Sequence, residues 1–118
     1  MKWFNYSEFD SPDEPGSGHN MDEEFLDMLD QARASAGIPF VITSGYRTEA
    51  HSYAVGSNAN SSHCKGVAAD IVAATSRDRF LILTALLEVG IDRLGIGEDY
   101  IHADVDWEKP ANVIWNYS

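Results

Sequence analysis

His63 and Asp70 stand seven positions apart in "SSHCKGVAAD", residues 61–70. Imidazole and carboxylate are ligand types that hold a divalent cation such as zinc. Gly66 lies between them and allows a tight backbone turn. Ala68 and Ala69 leave room for neighbouring elements to pack close. A catalytic zinc keeps three protein ligands and an open position for water. The third candidate is His102 in "DYIHADVD". Alternation places His102 and Asp104 on one face of a strand, Ala103 and Val105 on the other. Taken singly, His63 and His102 also read as satisfied structural histidines. Asp104 reads equally as a carboxylate that hydrogen-bonds a ligand histidine or as a solvated strand residue. His19, in a turn-rich loop, and His51, after Arg47, read as exposed polar residues.

Other residues carry potential chemistry. Arg47 in "SGYRT" is always charged. It can stabilise an oxyanion or hold a substrate carboxylate; its alternative is a surface arginine beside a strand end. Ser61 or Ser62 caps the turn or donates toward Asp70, and the structural role is the better reading. Cys64 is the only cysteine, so an intrachain disulfide and a multi-cysteine zinc site are excluded. It reads as a small packed residue. As a nucleophile it would make the protein sensitive to thiol alkylation and indifferent to chelators. Trp107 and Trp115 read as core or cleft wall, with Trp107 in position to line a substrate groove.

The elements that must position these residues follow from periodicity. Met21, Phe25, Met28, Leu29 and Ala32 have helical spacing over residues 21–36, with Asn20 as cap and Glu23 three residues on. Gly37 ends that helix and Pro39 forbids its return. "PFVITSG" reads as a short buried strand, "RTEAHSYAVG" as a turn or short helix, and "SNANSS" as a polar loop leading to His63. "GVAADIVA" is a strand with Ala68, Asp70 and Val72 on one face. A second helix runs from Ser76 to Glu88, with Phe80, Leu83, Leu86 and Leu87 expected inward. "RLGIG" and "YIHADVD" are neighbouring strands joined through "EDY", and "ANVIWNY" is the last strand. Residues 1–20 form an aromatic N-terminal segment and a turn-rich loop packed on the domain. Helices and strands do not alternate regularly. The expected fold is therefore α+β, a small mostly antiparallel sheet with two main helices in one domain spanning 1–118.

The totals exclude some functions. A formal charge of -11 argues against binding the nucleic-acid backbone, which needs basic surface. No apolar run is long enough to span a bilayer. "MKWFNYSEFDSPDEPG" lacks the apolar core of a secretory signal, so the protein is expected to be made in the cytoplasm without a signal peptide. Nothing in the sequence requires more than a monomer.

"SGYRT", "SSHCKGVAADI" and "IHADVD" with a tryptophan close behind occur in that order. They resemble the zinc D-Ala-D-Ala carboxypeptidase and L-alanyl-D-glutamate endopeptidase family, which shares its fold with the hedgehog signalling domain. The likeness covers about residues 3–117 and is closest to short single-domain phage and bacterial members. The pattern S-x-H-x-x-G-x-A-x-D reads here as Ser61, His63, Gly66, Ala68 and Asp70. The resemblance implies a hedgehog/DD-peptidase-like fold and a zinc ion held by His63, Asp70 and His102. It implies a general base three residues before the last histidine, which is Asp99. Many members have glutamate there and phage endopeptidases tend to have aspartate; the adjacent Glu98 stays open as an alternative. It also implies that Arg47 lies near the scissile carbonyl. The activity implied is hydrolysis of an amide next to a D-amino acid in peptidoglycan stem peptides. A phage endolysin that reaches the cell wall after membrane permeabilisation suits the small size. The competing expectation is a catalytically inactive, metal-binding wall-docking or phage structural module of the same fold.

Overall fold

The computed structural model describes residues 1–117. Three helices, α1 (Glu23–Ala36), α2 (Glu49–Ala54) and α3 (Ser76–Glu88), accompany five strands: β1 (Ile42–Ser44), β2 (Ala68–Val72), β3 (Arg93–Ile96), β4 (Tyr100–Asp104) and β5 (Val113–Asn116). The fold is α+β, as expected. The strands form one sheet in the order β1-β2-β4-β3-β5. β1 with β2, β2 with β4, and β3 with β4 pair antiparallel; β5 joins β3 in parallel. Among the described residues, no helix is long and apolar enough to cross a membrane.

One sheet face meets the helices. Ala69 and Ile71 of β2, Leu94 of β3, and Ile101 and Ala103 of β4 are fully buried there. They share a core with Phe25, Leu26 and Leu29 of α1 and Ile82 and Leu86 of α3. Burying each large side chain of this set contributes about 1.5–3 kcal/mol. Phe4 and Phe9 of the N-terminal segment belong to the same core, their rings meeting edge to face at 5.5 Å. The segment packs on the domain because its aromatics would otherwise lie in water.

Three details differ from the sequence reading. β1, expected to be buried, is an edge strand whose residues are half-buried or exposed. Residues Ser17–Asn20 form a 3-10 turn, so Asn20 is spent inside it. Asp22 caps α1 instead, its carboxylate accepting from the Phe25 amide at 3.0 Å. On α3, Phe80 and Leu87 are exposed at 66% and 48%, and Ile82, Ala85 and Leu86 face the core. The helix is apolar over most of its surface, so composition alone did not fix which stripe is inward. The short α2, left between turn and helix by the sequence, is capped by Thr48, whose hydroxyl accepts from the His51 amide.

The opposite sheet face is where polarity collects. Cross-strand register places Ser44, Asp70, His102, Gly95 and Trp115 in one row across all five strands. Residues directly opposite share a face, so this row runs over the surface away from the helices. The row two residues along carries Asp104 and Arg93.

Candidate metal centre

Three of the residues singled out by sequence come together on that face. His63, Asp70 and His102 each offer a ligand atom, and these atoms lie within 4.8 Å of one another. His63 arrives on the 61–66 turn. Gly66 closes that turn at φ +73°, and a Cβ there would meet the Asn20 carbonyl oxygen at 2.5 Å. Only glycine satisfies both the left-handed backbone and the close approach. Asp70 and His102 come from adjacent strands, directly opposite each other in the β2–β4 ladder.

The imidazoles are oriented from behind. His63 Nδ1 lies 2.8 Å from the Gly45 carbonyl oxygen. A carbonyl only accepts, so Nδ1 carries a proton, and in the neutral ring Nε2 is then the nitrogen with the lone pair. That Nε2 is 3.5 Å from Asp70 Oδ1. His102 is used the other way round. Its Nε2 donates to Asp104 Oδ2 at 2.6 Å, and its Nδ1 faces Asp70 Oδ1 at 2.9 Å. Two imidazole nitrogens and a carboxylate, converging with their far sides hydrogen-bonded, are a donor set that fits zinc. A cation of that kind would be held by His63 Nε2, His102 Nδ1 and Asp70.

Charge follows the same geometry. Burial alone would push the Asp70 carboxyl up, but hydrogen bonds and charge from His102 and His63 hold it well below the usual carboxylate range. Burial opposes a charged His102, and the Asp104 and Asp70 carboxylates outweigh it and raise its pKa. Asp104 is itself buried at 1% exposure. Burial pushes it up, while His102, the Asp106 amide and Arg93 bring it down overall. Arg93 Nε donates to Asp104 Oδ1 at 2.7 Å. Asp104 is therefore the carboxylate behind His102, not a solvated strand residue. Arg93 was not anticipated; only the β3–β4 register brings it opposite Asp104.

Arg47 lines the same cavity, which encloses about 420 Å³. Its Nη2 is 3.9 Å from Asp70 Oδ2, and its Nε donates to Ser44 Oγ at 3.2 Å. Asp99 stands apart from His63 and His102. It is exposed in the β3–β4 connection, and it borders a neighbouring depression with Asp70, Thr43 and Tyr100. Its carbonyl accepts from the Ala73 amide, which fixes the backbone and leaves the carboxyl in solvent. Glu98 borders neither space, and Arg79 holds its carbonyl oxygen from below.

The remaining sequence-derived residues sort by contact. Ser62 donates to Asp106 at 2.7 Å rather than to Asp70, so its role is structural with a partner 44 positions away. The Cys64 thiol points to the carbonyls of Thr48 and Asn58, and His63 has both ring nitrogens committed elsewhere. Neither histidine of the cluster has a ring nitrogen turned to the thiol. His19 stacks on Tyr6, and His51 lies on α2; neither joins the cluster. Trp107 is 71% exposed and borders a separate depression beside Phe25 and Met28. The tryptophan in the cavity wall is Trp115, its ring centroid 5.6 Å from that of His102.

A small α+β domain with a His–Asp–His set facing an open cavity has the frame of a metal-dependent hydrolase. The sequence model of one family, peptidase M15, matches residues 4–106, and the chain belongs to that family. It is thus a hydrolase of the metallopeptidase kind. A search among curated proteins finds no match.

Proposed function

We propose that this protein is a zinc-dependent peptidase that hydrolyses an amide next to a D-amino acid in peptidoglycan stem peptides, with His63, Asp70 and His102 as the metal ligands. The observation that carries the reading is the convergence of two oriented imidazole nitrogens and Asp70 beneath a cavity that also holds Arg47. Zinc bound there would supply Lewis acidity toward the amide carbonyl and lower the pKa of water. The residues of the chain do the rest. Arg47, anchored by Ser44, offers a fixed positive charge to the oxygen of the scissile carbonyl or to a substrate carboxylate. Asp99, a solvated carboxylate beside Asp70, takes a proton from the attacking water and returns it to the leaving amine. Asp104 and the Gly45 carbonyl keep the two imidazoles from turning.

Part of the same proposal is the setting. The protein works as a monomer at the bacterial wall, and a phage lysis role, with release through a permeabilised membrane, is consistent with the resemblance. A second reading has its own support. The Asp99 carboxyl is exposed, with the site's hydrogen bonds doing nothing to aim it. A module that binds wall peptides through the metal without turnover would have the same appearance.

Digestion of purified peptidoglycan and of a stem pentapeptide separates these readings. Chelator-sensitive release of D-alanine, or of a new D-Glu amine terminus, is expected from the zinc-loaded protein. Absence of product from every wall type, with one zinc per chain still bound, would sink the peptidase reading in favour of the binding module.

The carboxylate behind His102 gives a finer test. Asp104→Asn is expected to keep the fold and weaken zinc binding by roughly 10–100-fold, the usual effect of losing such a partner. Competition against a chromogenic chelator measures it. Unchanged affinity would mean that Asp104 serves Arg93 and the strand, not the ligand.

A further inference from the structure

One wall of the cavity is aromatic, and two of its three rings lie outside the family match. Trp115 and Tyr117 belong to β5 and the residue after it, beyond residue 106 where the match to peptidase M15 ends. With Tyr100 they form a contiguous surface: Tyr100 to Tyr117 is 5.5 Å between ring centroids, and Tyr117 to Trp115 is 6.2 Å. Glycine makes the surface possible. A Cβ at Gly95 would meet Tyr117 and Trp115 at 2.7 and 2.8 Å, and one at Gly97 would meet Tyr100 at 2.2 Å. The sheet has cleared two positions so that the rings can lie over it. Tyr117 is nevertheless 47% exposed, so the rings are not there to complete the core.

Another part of the lining is polar. Ser57, Asn58, Asn60 and Ser61 form it. Asn58 Oδ1 accepts the Asn60 amide at 2.8 Å, which leaves the Asn58 NH₂ group free to donate outward. A cavity lined by aromatic rings, set at angles to one another, and by amides and hydroxyls matches a pyranose. The sugar's C–H face packs on the electron-rich rings, and its hydroxyl and acetamido groups take the polar side.

We propose that the Tyr100–Trp115–Tyr117 wall is a subsite for an N-acetylated hexose, so that the substrate is a stem peptide still attached to its glycan. The inference rests on the peptidase reading and deepens it. It also selects a bond. The wall starts one ring from His102, at 5.6 Å, and Tyr117 is one ring further on. An extended peptide advances about 3.3–3.6 Å per residue. The amide after the first stem residue is one residue from the sugar-bearing lactyl group and can reach the ligand cluster with the sugar on the wall. The terminal D-Ala-D-Ala amide is four residues away, roughly 13 Å or more along an extended chain. The shorter span favours the L-Ala–D-Glu bond as the one cut.

Two measurements test the subsite, one of them independent of catalysis. The disaccharide GlcNAc-MurNAc, without peptide, is titrated into zinc-loaded and zinc-free protein while the Trp115 indole N–H resonance is followed. A saturable shift is expected in both forms, weakened about tenfold by Tyr117→Ala and retained by Tyr117→Phe, because the ring face and not the hydroxyl makes the contact. In parallel, KM is compared for a disaccharide-linked tetrapeptide and the same peptide free. The linked substrate is expected to have a KM about tenfold lower, with the ratio falling to near one in Tyr117→Ala and surviving in Tyr117→Phe. No disaccharide shift together with equal KM values would overturn the subsite while leaving the peptidase intact. Disaccharide binding without hydrolysis of any stem peptide would uphold the subsite and remove the peptidase reading.

Discussion

Asp70→Asn is expected to strip the protein of its zinc and of all hydrolysis, whereas Asp99→Ala is expected to keep the zinc and lose turnover. Asp70 Oδ1 is the point on which both imidazoles converge, 2.9 Å from His102 Nδ1 and 3.5 Å from His63 Nε2. Its second oxygen faces Arg47 at 3.9 Å. The hydrogen bonds and charges around it overcome the effect of burial and keep it ionised far into acid. Asparagine keeps the volume and removes the charge, and it offers the ion either a weaker oxygen or an NH₂ group. Losing a mere partner of a ligand costs 10–100-fold in affinity, so losing the anionic ligand is expected to cost more than about a hundredfold. Metal content after dialysis reads this directly; a full zinc complement in the variant would remove Asp70 from the ligand set. Asp99 makes the contrast. Its carboxyl is solvent-exposed and outside the cluster, so alanine leaves the ligands undisturbed. Loss of a general base lowers turnover by about 10²–10⁴-fold. Undiminished turnover in Asp99→Ala would pass the role to Glu98, and the same experiment would then be run there.

The gathering of His63, Asp70 and His102 was legible in part because strand parity and a turn glycine are local signals, and the motif resemblance pointed to the same three residues. His63 and Asp70 flank Gly66, and His102 has the strand parity that turns it to the sheet face opposite the helices. The limits of α3 were legible for a related reason: an apolar run fills it. What stayed hidden depended on register. Arg93 becomes the partner of Asp104, and Trp115 the neighbour of His102, only once β3 pairs with β4 and β5 lies parallel to β3. Trp107, five residues from His102, was the closer tryptophan in sequence and points into another depression. Trp115 is thirteen residues away and lies in the same row. The acid cap of α1 shows a local failure of the same kind. Asn20 had the right spacing to Glu23, but a 3-10 turn claimed it first.

Asp106→Asn is expected to lower stability at pH 7 by about 2–3 kcal/mol and to flatten the acid limb of the stability curve. Asp106 is 1% exposed and ties two distant segments together. Its carboxylate accepts from Ser62 Oγ at 2.7 Å and from Lys65 Nζ at 3.0 Å, both on the turn that carries His63. Lys109 Nζ lies 3.4 Å from its second oxygen and donates to Ser62 Oγ at 3.0 Å. Burial pushes the Asp106 carboxyl up, but Ser62, Lys65, the Glu108 amide and the Lys109 charge hold it down from 3.8 to about 2. A folded-state pKa below the unfolded one means that the stabilisation is fully present above about pH 4 and is lost as pH falls toward 2. Asparagine has no such titration, so the difference between the two proteins should shrink across that window. Other carboxylates that titrate there, Asp104 among them, cancel in the comparison. Lys65 and Lys109 retain 18% and 30% side-chain exposure and can turn to water in the variant, which keeps the loss below that of a fully buried broken pair. Urea unfolding of both proteins at pH 7 and at pH 2.5 measures the effect. A constant difference between the two pH values would show that Asp106 stabilises the turn by shape alone. A difference that shrinks at low pH, with weaker zinc binding at pH 7, would show that this buried ionic tie also holds His63 in place for the ion.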